Sequence, residues 1–438
     1  MSLLTCFIWI MILLVFFQKS GVLKWTQIPQ KLLCGFFLYK LLFTFTLIYI
    51  YEHYYTDRNL ADIFKYYDDS KILFGILLED PSSFFKLLLG LSNEDQYMST
   101  LTETNTWYTI GFGSDHLYND SRTIIRINAF LLPFSFGNYY IQAFYFSLIG
   151  FIGQIILYKN LSKIKGIHNG LLLTGIFLMP SVAIWTSGIL KESFLILGIA
   201  LLVRFMVKHQ TNERQSKDFL LLLVGISLLL LFKYYVLLCL TPGLLVFLAW
   251  KKNQKKIAFK YVGITLLFFI LAIFIKYIHP SLNIMQMLVK KHDDFYLLAL
   301  EMDAKSISYI GKYHPVLNEF IPKIPIAFFN SLLLPFIHQL NLYSPVMIPA
   351  IFENSILLFL TVWVVLNRKN SFNSSQLNWI YFSMIFVLLL YTLSGLTTPV
   401  LGGLVRYKVP GLIFHIFILS LIVDVNKLPF LSKSSQNE

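Results

Sequence analysis

The chain has 438 residues, of which 56% are hydrophobic and 17% aromatic while only 13% are charged, and its mean hydropathy is +0.66. A water-soluble fold of this composition would leave extensive apolar surface uncovered, so the sequence specifies a polytopic membrane protein, all-α, in one domain over 1–430. Its formal charge of +13 resides mostly in short loops between apolar runs, where it reports membrane topology and argues against nucleic acid as a partner.

A hydrocarbon core of about 30 Å takes roughly 17 to 25 apolar residues per crossing helix. The first run, 2–17, has no basic stretch ahead of it and Lys19, Lys24 and Lys31 behind it, which reads as an anchor with its N-terminus outside rather than a cleaved signal. A second span is predicted at 32–51. Between 52 and 120 lies a long loop with twelve acids against four bases, net −8, holding Asp57, Asp62, Asp68 and Asp69. A loop this long is seldom a passive linker. The piece 122–136, interrupted by Arg126 and Pro133, reads as an interfacial or re-entrant helix.

Further spans follow at 138–158, 169–184, 189–207, 219–232, 235–250 and 258–277. A second long loop, 279–323, is mixed in sign, and the Pro-interrupted piece 324–340 again reads as interfacial. The last spans are 345–366, 379–395 and 408–424, before a polar tail at 431–438 that reads as disordered. Eleven crossings result. The basic segments 18–31, 159–168, 204–218, 251–256 and 367–378 then share one side, which the positive-inside rule makes cytoplasmic, with the C-terminus there as well. The layout fits a bacterial inner membrane.

The segment "MPSVAIWTSGILKES" holds Lys191 and Glu192 between apolar runs. In this topology Pro180 and Trp185–Gly188 make an outer turn, and the pair opens the returning helix at the membrane edge, where Glu192 benefits from the helix dipole and Trp185 joins the interfacial aromatic belt. Lys233 in "LFKYYVLL", Arg122 and Arg126 in "SRTIIRIN", and Arg406 and Lys408 in "GGLVRYKVPG" map to the same level. Cations converging beside a carboxylate-rich loop suit a phosphate-bearing lipid, since Arg grips phosphate oxygens in a fork and Lys acts as a point charge. The plainer alternative is that these cations snorkel to headgroups or pair with loop acids. Glu353, deep in an apolar run, reads as a structural partner or cap. His53, His116, His292 and His314 have no ligand spacing, and Cys6, Cys34 and Cys239 lie in apolar runs, so no metal site and no disulfide framework is expected.

The stretch "ADIFKYYDDSKIL", with Asp62 and Tyr66 in an acid-x-x-x-aromatic spacing, resembles the corresponding loop of the GT-C superfamily of membrane glycosyltransferases. The blocks "PSVAIWTSGILKES", "IPIAFFNSLLLPF" and "GGLVRYKVP" look like those of bacterial multispan proteins grouped with such transferases or with surface-polysaccharide polymerases. Here the acidic loop follows the second span and not the first, which makes the first run an added anchor or moves the count by one. The resemblance implies a polyprenyl-phosphate-linked sugar as donor and a cell-envelope glycan or lipid-linked acceptor. It implies Asp62 as general base, with Asp57, Asp68 and Asp69 as alternates. Lys191, Lys233 and Arg406 would contact the lipid phosphate with Arg122 and Arg126, and Glu192, Tyr66 and Trp185 would line the same site. No nucleotide-sugar motif or Gly-rich phosphate loop is present, and no cofactor is implied, a divalent cation being left open. Two rivals stand beside this reading: a repeat-unit polymerase or ligase of lipid-linked oligosaccharides, and a flippase or secondary transporter.

Overall fold

A computed structural model describes residues 3–55, 57–58, 61–91, 97–107, 119–250, 256–279, 282–301, 304, 306–308, 310–337 and 347–424. The polar tail 431–438, His116, Glu94, Asp95, Asp115, Lys251, Lys252 and Lys255 lie outside the described residues. The described chain is helical: α1 (Leu3–Lys19), α2 (Gln30–His53), α3 (Asp62–Glu79), α4 (Pro81–Leu89), α5 (Met98–Thr102), α6 (Asp120–Leu131), α7 (Tyr139–Leu161), α8 (Asn169–Leu173), α9 (Pro180–Trp185), α10 (Glu192–Gln210), α11 (Ser216–Leu248), α12 (Ile257–Phe274), α13 (Ile284–Glu301), α14 (Leu317–Leu333), α15 (Ile348–Leu366), α16 (Ser374–Thr397), α17 (Leu401–Tyr407) and α18 (Val409–Ile422).

Among the described residues, seven helical segments are long and apolar enough to cross a bilayer: Phe7–Trp25, Gln30–His53, Tyr139–Leu161, Ser216–Leu248, Ile257–Tyr277, Ile348–Leu366 and Ser374–Thr397. The pair α17 and α18, bent by 55°, makes an eighth if taken as one span. The chain is therefore a polytopic, all-helical membrane protein. The other stretches read as spans have specific local structures. The segment 169–184 is divided into α8, a π turn at Thr174–Leu178 and α9, which begins at Pro180. Helix α10 has 19 residues and carries Glu192, Arg204 and Lys208. The expected division of 219–250 at Lys233 appears as a single non-helical residue (φ −152°, ψ 75°) inside α11.

The chain divides into two compact units. One comprises Met1–Asn160, Ala183–Phe205 and Arg214–Tyr234, and the other Leu161–Val182, Met206–Glu213 and Tyr235–Glu438. In the first, α3 packs on α4, α5 and α6. It buries Ile63, Tyr66, Tyr67, Ser70, Leu73 and Ile76, a helical repeat that puts one face of α3 into the core. Helix α4 begins as its sequence dictates. Asp80 accepts hydrogen bonds from Ser83 N (3.1 Å) and Ser83 Oγ (2.6 Å), and Pro81 fills the first turn. Together with a bond from Tyr97 Oη, the Ser83 contacts hold the Asp80 carboxyl down at about 2. Tyr67 donates to Gly137 O, and burial pushes its phenol up to about 12. Below this layer, Gly198 of α10 and Gly225 of α11 let two backbones approach closely: a Cβ on Gly225 would lie 2.9 Å from Gly198 O.

In the second unit α16 is the central helix and packs on α12, α13, α14 and α18. Its start carries a capping box in which Asn373 and Gln376 bond each other's backbone N–H. The loop read at 279–323 contains α13, and the piece 324–340 falls mainly in the last turns of α14.

Candidate functional site

The site is built around the break between α9 and α10. Gly188 takes a left-handed conformation (φ 66°), the chain stays irregular to Lys191, and Glu192 starts α10. Every residue from Thr186 to Ser193 is buried. Irregular backbone in a membrane protein is tolerated where protein covers it and its polar groups find partners. Here Ser193 Oγ donates to Thr186 O (2.9 Å), Gly188 N to Ser147 Oγ (3.2 Å), and Ser187 Oγ to Ala183 O (2.6 Å).

Lys191 and Glu192 each find a partner elsewhere. The Lys191 ammonium reaches Asp120 Oδ1 (2.9 Å) and Ser121 Oγ (3.2 Å) at the start of α6, and sits 4.9 Å above the Tyr66 ring. Asp62, one turn before Tyr66 at the first position of α3, is among the carboxylates whose charge acts on this ammonium. The i, i+4 spacing of Asp62 and Tyr66 thus brings both toward Lys191. Glu192 Oε1 pairs with Lys233 Nζ at 2.7 Å, with side-chain exposures of 1% and 6%. That contact explains Lys233 in an apolar helix: the residue that breaks α11 supplies the counter-charge for a buried glutamate.

The remaining predicted residues are placed as follows. Arg122 donates through Nε to Trp107 O (3.0 Å) and Arg126 through Nε to Leu87 O (2.8 Å), and both guanidinium groups lie over the buried Trp107 ring. Trp185 packs with Leu47, Ile63, Phe64 and Leu190. Asp57 is exposed. Asp68 binds Arg58 in a two-point fork (2.7 and 2.9 Å), which raises the Arg58 value further above its ordinary range. Asp69 is fully buried and accepts four hydrogen bonds, from Asn105 N and Nδ2 and from Thr106 N and Oγ1. Its lone pairs are committed to anchoring 105–107, so the geometry gives it a structural role in place of the alternate base. Arg406 is half-buried in the last turn of α17, in the second unit. Lys408, also in that unit, spends its three N–H groups on Ser331 O (3.0 Å), Leu334 O (3.1 Å) and Asn354 Oδ1 (2.9 Å), and so clamps α14 and α15 to the start of α18.

One residue of the first unit was not singled out by sequence reasoning. Lys40, in the middle of α2 and 2% exposed, hydrogen-bonds to Thr186 Oγ1. Among the described residues no carboxylate lies within ion-pair distance of it. Lys40 is thirteen residues from His53, about 20 Å along the helix, so the Thr186 end of the break reaches far down α2. A lysine in an otherwise uncharged run was the available signal. Near the other end of α2, Leu42, Phe45, Thr46, Ile48, Tyr49, Glu52 and Tyr140 line a shallow groove of about 390 Å³. Ile48 also belongs to the core cluster that contains Tyr66.

Among the described residues no group of three or more His, Cys, Asp or Glu side chains is arranged to hold a metal ion. No family model, curated protein or solved structure matches this chain.

Proposed function

We propose that this chain is a membrane glycosyltransferase that moves a sugar from a polyprenyl-phosphate-linked donor to a cell-envelope glycan or lipid-linked acceptor. In this reading the fold is GT-C-like, with eleven crossings, the N-terminus outside and the C-terminus in the cytoplasm of a bacterial inner membrane. The observation that carries the reading is the convergence of Asp62, Tyr66 and Asp120 on the buried Lys191 ammonium, beside an irregular segment enclosed by protein.

The chemistry assigns each group a step. The acceptor hydroxyl oxygen attacks the anomeric carbon while the bond from that carbon to the phosphate oxygen breaks. Asp62 takes the hydroxyl proton, and polyprenyl phosphate leaves with the bonding pair. Lys191 stabilises the charge that develops on the departing phosphate, an interaction stronger in the transition state than in the bound donor. Donor phosphate competes with Asp120 for the ammonium, so Asp120 holds Lys191 in place between turnovers. A single displacement inverts the anomeric centre. The groove lined by Leu42, Phe45 and Tyr49 is a surface on which apolar isoprenoid units rest.

The test is reconstitution in liposomes with a panel of polyprenyl-phosphate sugars and a crude lipid-linked acceptor extract, following release of polyprenyl phosphate. Wild-type release, lost in Lys191→Ala and in Asp62→Asn with donor binding retained in the latter, supports the assignment. A protein that folds but releases nothing from monosaccharide donors, and does so from lipid-linked oligosaccharides, is the polymerase or ligase. The irregular Thr186–Lys191 segment beside Lys40 also favours a second reading, a flippase or secondary transporter, because broken helices at membrane depth are a feature of such sites. Movement of lipid-linked sugar across the bilayer without any release would establish it.

A further inference from the structure

The second unit contains an intramembrane carboxyl whose surroundings differ from those of Glu192. Glu353 of α15 is 4% exposed. Its Oε2 accepts from Ser181 N at 2.7 Å, while its Oε1 is buried with no hydrogen-bond partner among the described residues. Lys408 is the cation whose charge acts on it, but the three Lys408 N–H groups are taken by Ser331, Leu334 and Asn354. Glu353 therefore has a neighbouring positive charge without a contact ion pair, whereas Glu192 has Lys233 at 2.7 Å.

Two more buried polar atoms without partners lie in the same network: Tyr391 Oη of α16 and His415 Nδ1 of α18. The Tyr391 phenol is within electrostatic range of Glu353, and the His415 imidazole within that of Lys408. His415 Nε2 is tied to Thr361 Oγ1 (3.1 Å), and its ring meets that of Tyr391 edge to face, with centroids 6.4 Å apart. Glu353 and Thr361 are eight residues apart on α15, about 12 Å, and Lys408 and His415 are seven apart, about 10 Å. Tyr391 bridges these two levels. Its ring edge fills the space beside Gly411, which lies between Lys408 and His415, and a Cβ there would be 2.6 Å from Tyr391 Cε1. Carboxyl, phenol and imidazole thus lie in the interior of the helices, each with one unused polar atom, and no two of those atoms are in hydrogen-bond contact. The titratable groups facing Glu353 are Lys408 from the α17–α18 junction and Tyr391 from α16. The α9 and α14 contacts in this network, Ser181 and Ser331, contribute no ionisable group.

We propose that Glu353, Tyr391 and His415 form a proton-binding site inside the membrane-embedded second unit, in which Glu353 takes up and releases one proton. Uptake converts the Glu353 carboxylate to the neutral acid with the proton on Oε1. Release restores the carboxylate near the Lys408 charge, while Tyr391 and His415, whose unused polar atoms are not in hydrogen-bond contact with Oε1, act on the site through their charge and dipoles. Intramembrane carboxyl and imidazole groups placed in series are the usual parts of proton relays. The site is independent of the Lys191 assignment.

The test uses the intact protein in liposomes and dicyclohexylcarbodiimide, which reacts with protonated carboxyl groups in apolar surroundings, with the mass of the peptides carrying Glu353 and Glu192 as readout. Glu353 is modified near neutral pH, and modification falls roughly tenfold per unit once the pH passes the midpoint. Glu192, paired with Lys233, stays unmodified throughout. Tyr391→Phe folds normally but shifts the midpoint of Glu353 modification. Modification of Glu353 that does not change with pH makes it a permanently neutral structural acid and overturns the proposal. So does an inert Glu353 in a sample whose detergent-denatured control reacts, or a Tyr391→Phe profile identical to wild type.

Discussion

Replacing Lys233 by Met separates a structural from a substrate-binding role for the Glu192–Lys233 pair. The side chains have similar length, so the change removes charge with little loss of volume. At 2.7 Å and an effective dielectric of about 20, the attraction between unit charges is roughly 6 kcal/mol, against which stands the desolvation of two groups exposed by only 1% and 6%. Such a pair is near neutral compared with an apolar couple, yet Lys233→Met leaves Glu192 buried without the Lys233 charge, at a cost of about 3–5 kcal/mol. The double substitution Glu192→Gln with Lys233→Met should recover most of that loss. Unfolding in detergent of the wild type, both single variants and the double variant supplies the coupling energy. A Lys233→Met protein within about 1 kcal/mol of wild type that no longer releases polyprenyl phosphate would refute the structural argument and return Lys233 to the lipid phosphate.

Asp69→Ala removes the shared acceptor of four hydrogen bonds, and proteolysis within 97–107 should accelerate at least roughly tenfold while the helical content of the spans is unchanged. Gly395→Ala puts a Cβ 2.0 Å from Ala327 O where α14 meets α16, and should cost about 3 kcal/mol or more of stability or abolish folded yield, while Gly263→Ala, with open space around it, should be neutral or mildly stabilising. His168 caps α8 by accepting from Leu171 N (3.1 Å), and burial, with the charge of Lys369, holds its value below the ordinary 6.5. The folded state therefore favours the neutral ring: this stabilisation is fully present above pH 6.5 and is lost as pH falls from there through the lowered folded value. The unfolding midpoint should drop over that acid window in the wild type and change less in His168→Asn, which keeps a capping acceptor without a titrating ring.

Much of the fold is legible because apolar periodicity and caps act locally. The long spans α2, α7, α12, α15 and α16 follow from residue order, whereas the stretch 52–120, expected as one long loop, contains the helices α3 and α4. The stretch 169–184 is apolar enough to resemble a span, but hydropathy does not register the π turn at Thr174–Leu178 or the new start at Pro180. Lys233 marked a break correctly, while the loop expected there contracts to one residue because the lysine is held by Glu192 instead of reaching solvent.

The site was legible in its members more than in its pairings. Lys191 and Glu192 were conspicuous as charges in apolar sequence, and Asp62 with Tyr66 as an i, i+4 pair. Which carboxylate meets which ammonium is a long-range fact: Asp120 was one of twelve acids in its loop, and nothing local to it distinguishes the partner of Lys191. Lys40 shows the opposite failure. A cation in the middle of 32–51 is far from every predicted turn, although mid-span position is what makes a charge costly and therefore informative. Its hydrogen bond to Thr186 links it to the segment that carries Lys191 and Glu192, so the irregular break between α9 and α10 is held at one end by a lysine and at the other by two ion pairs. A segment fixed at both ends in this way holds Lys191 in one orientation, which is what the proposed role of its ammonium at a leaving phosphate requires.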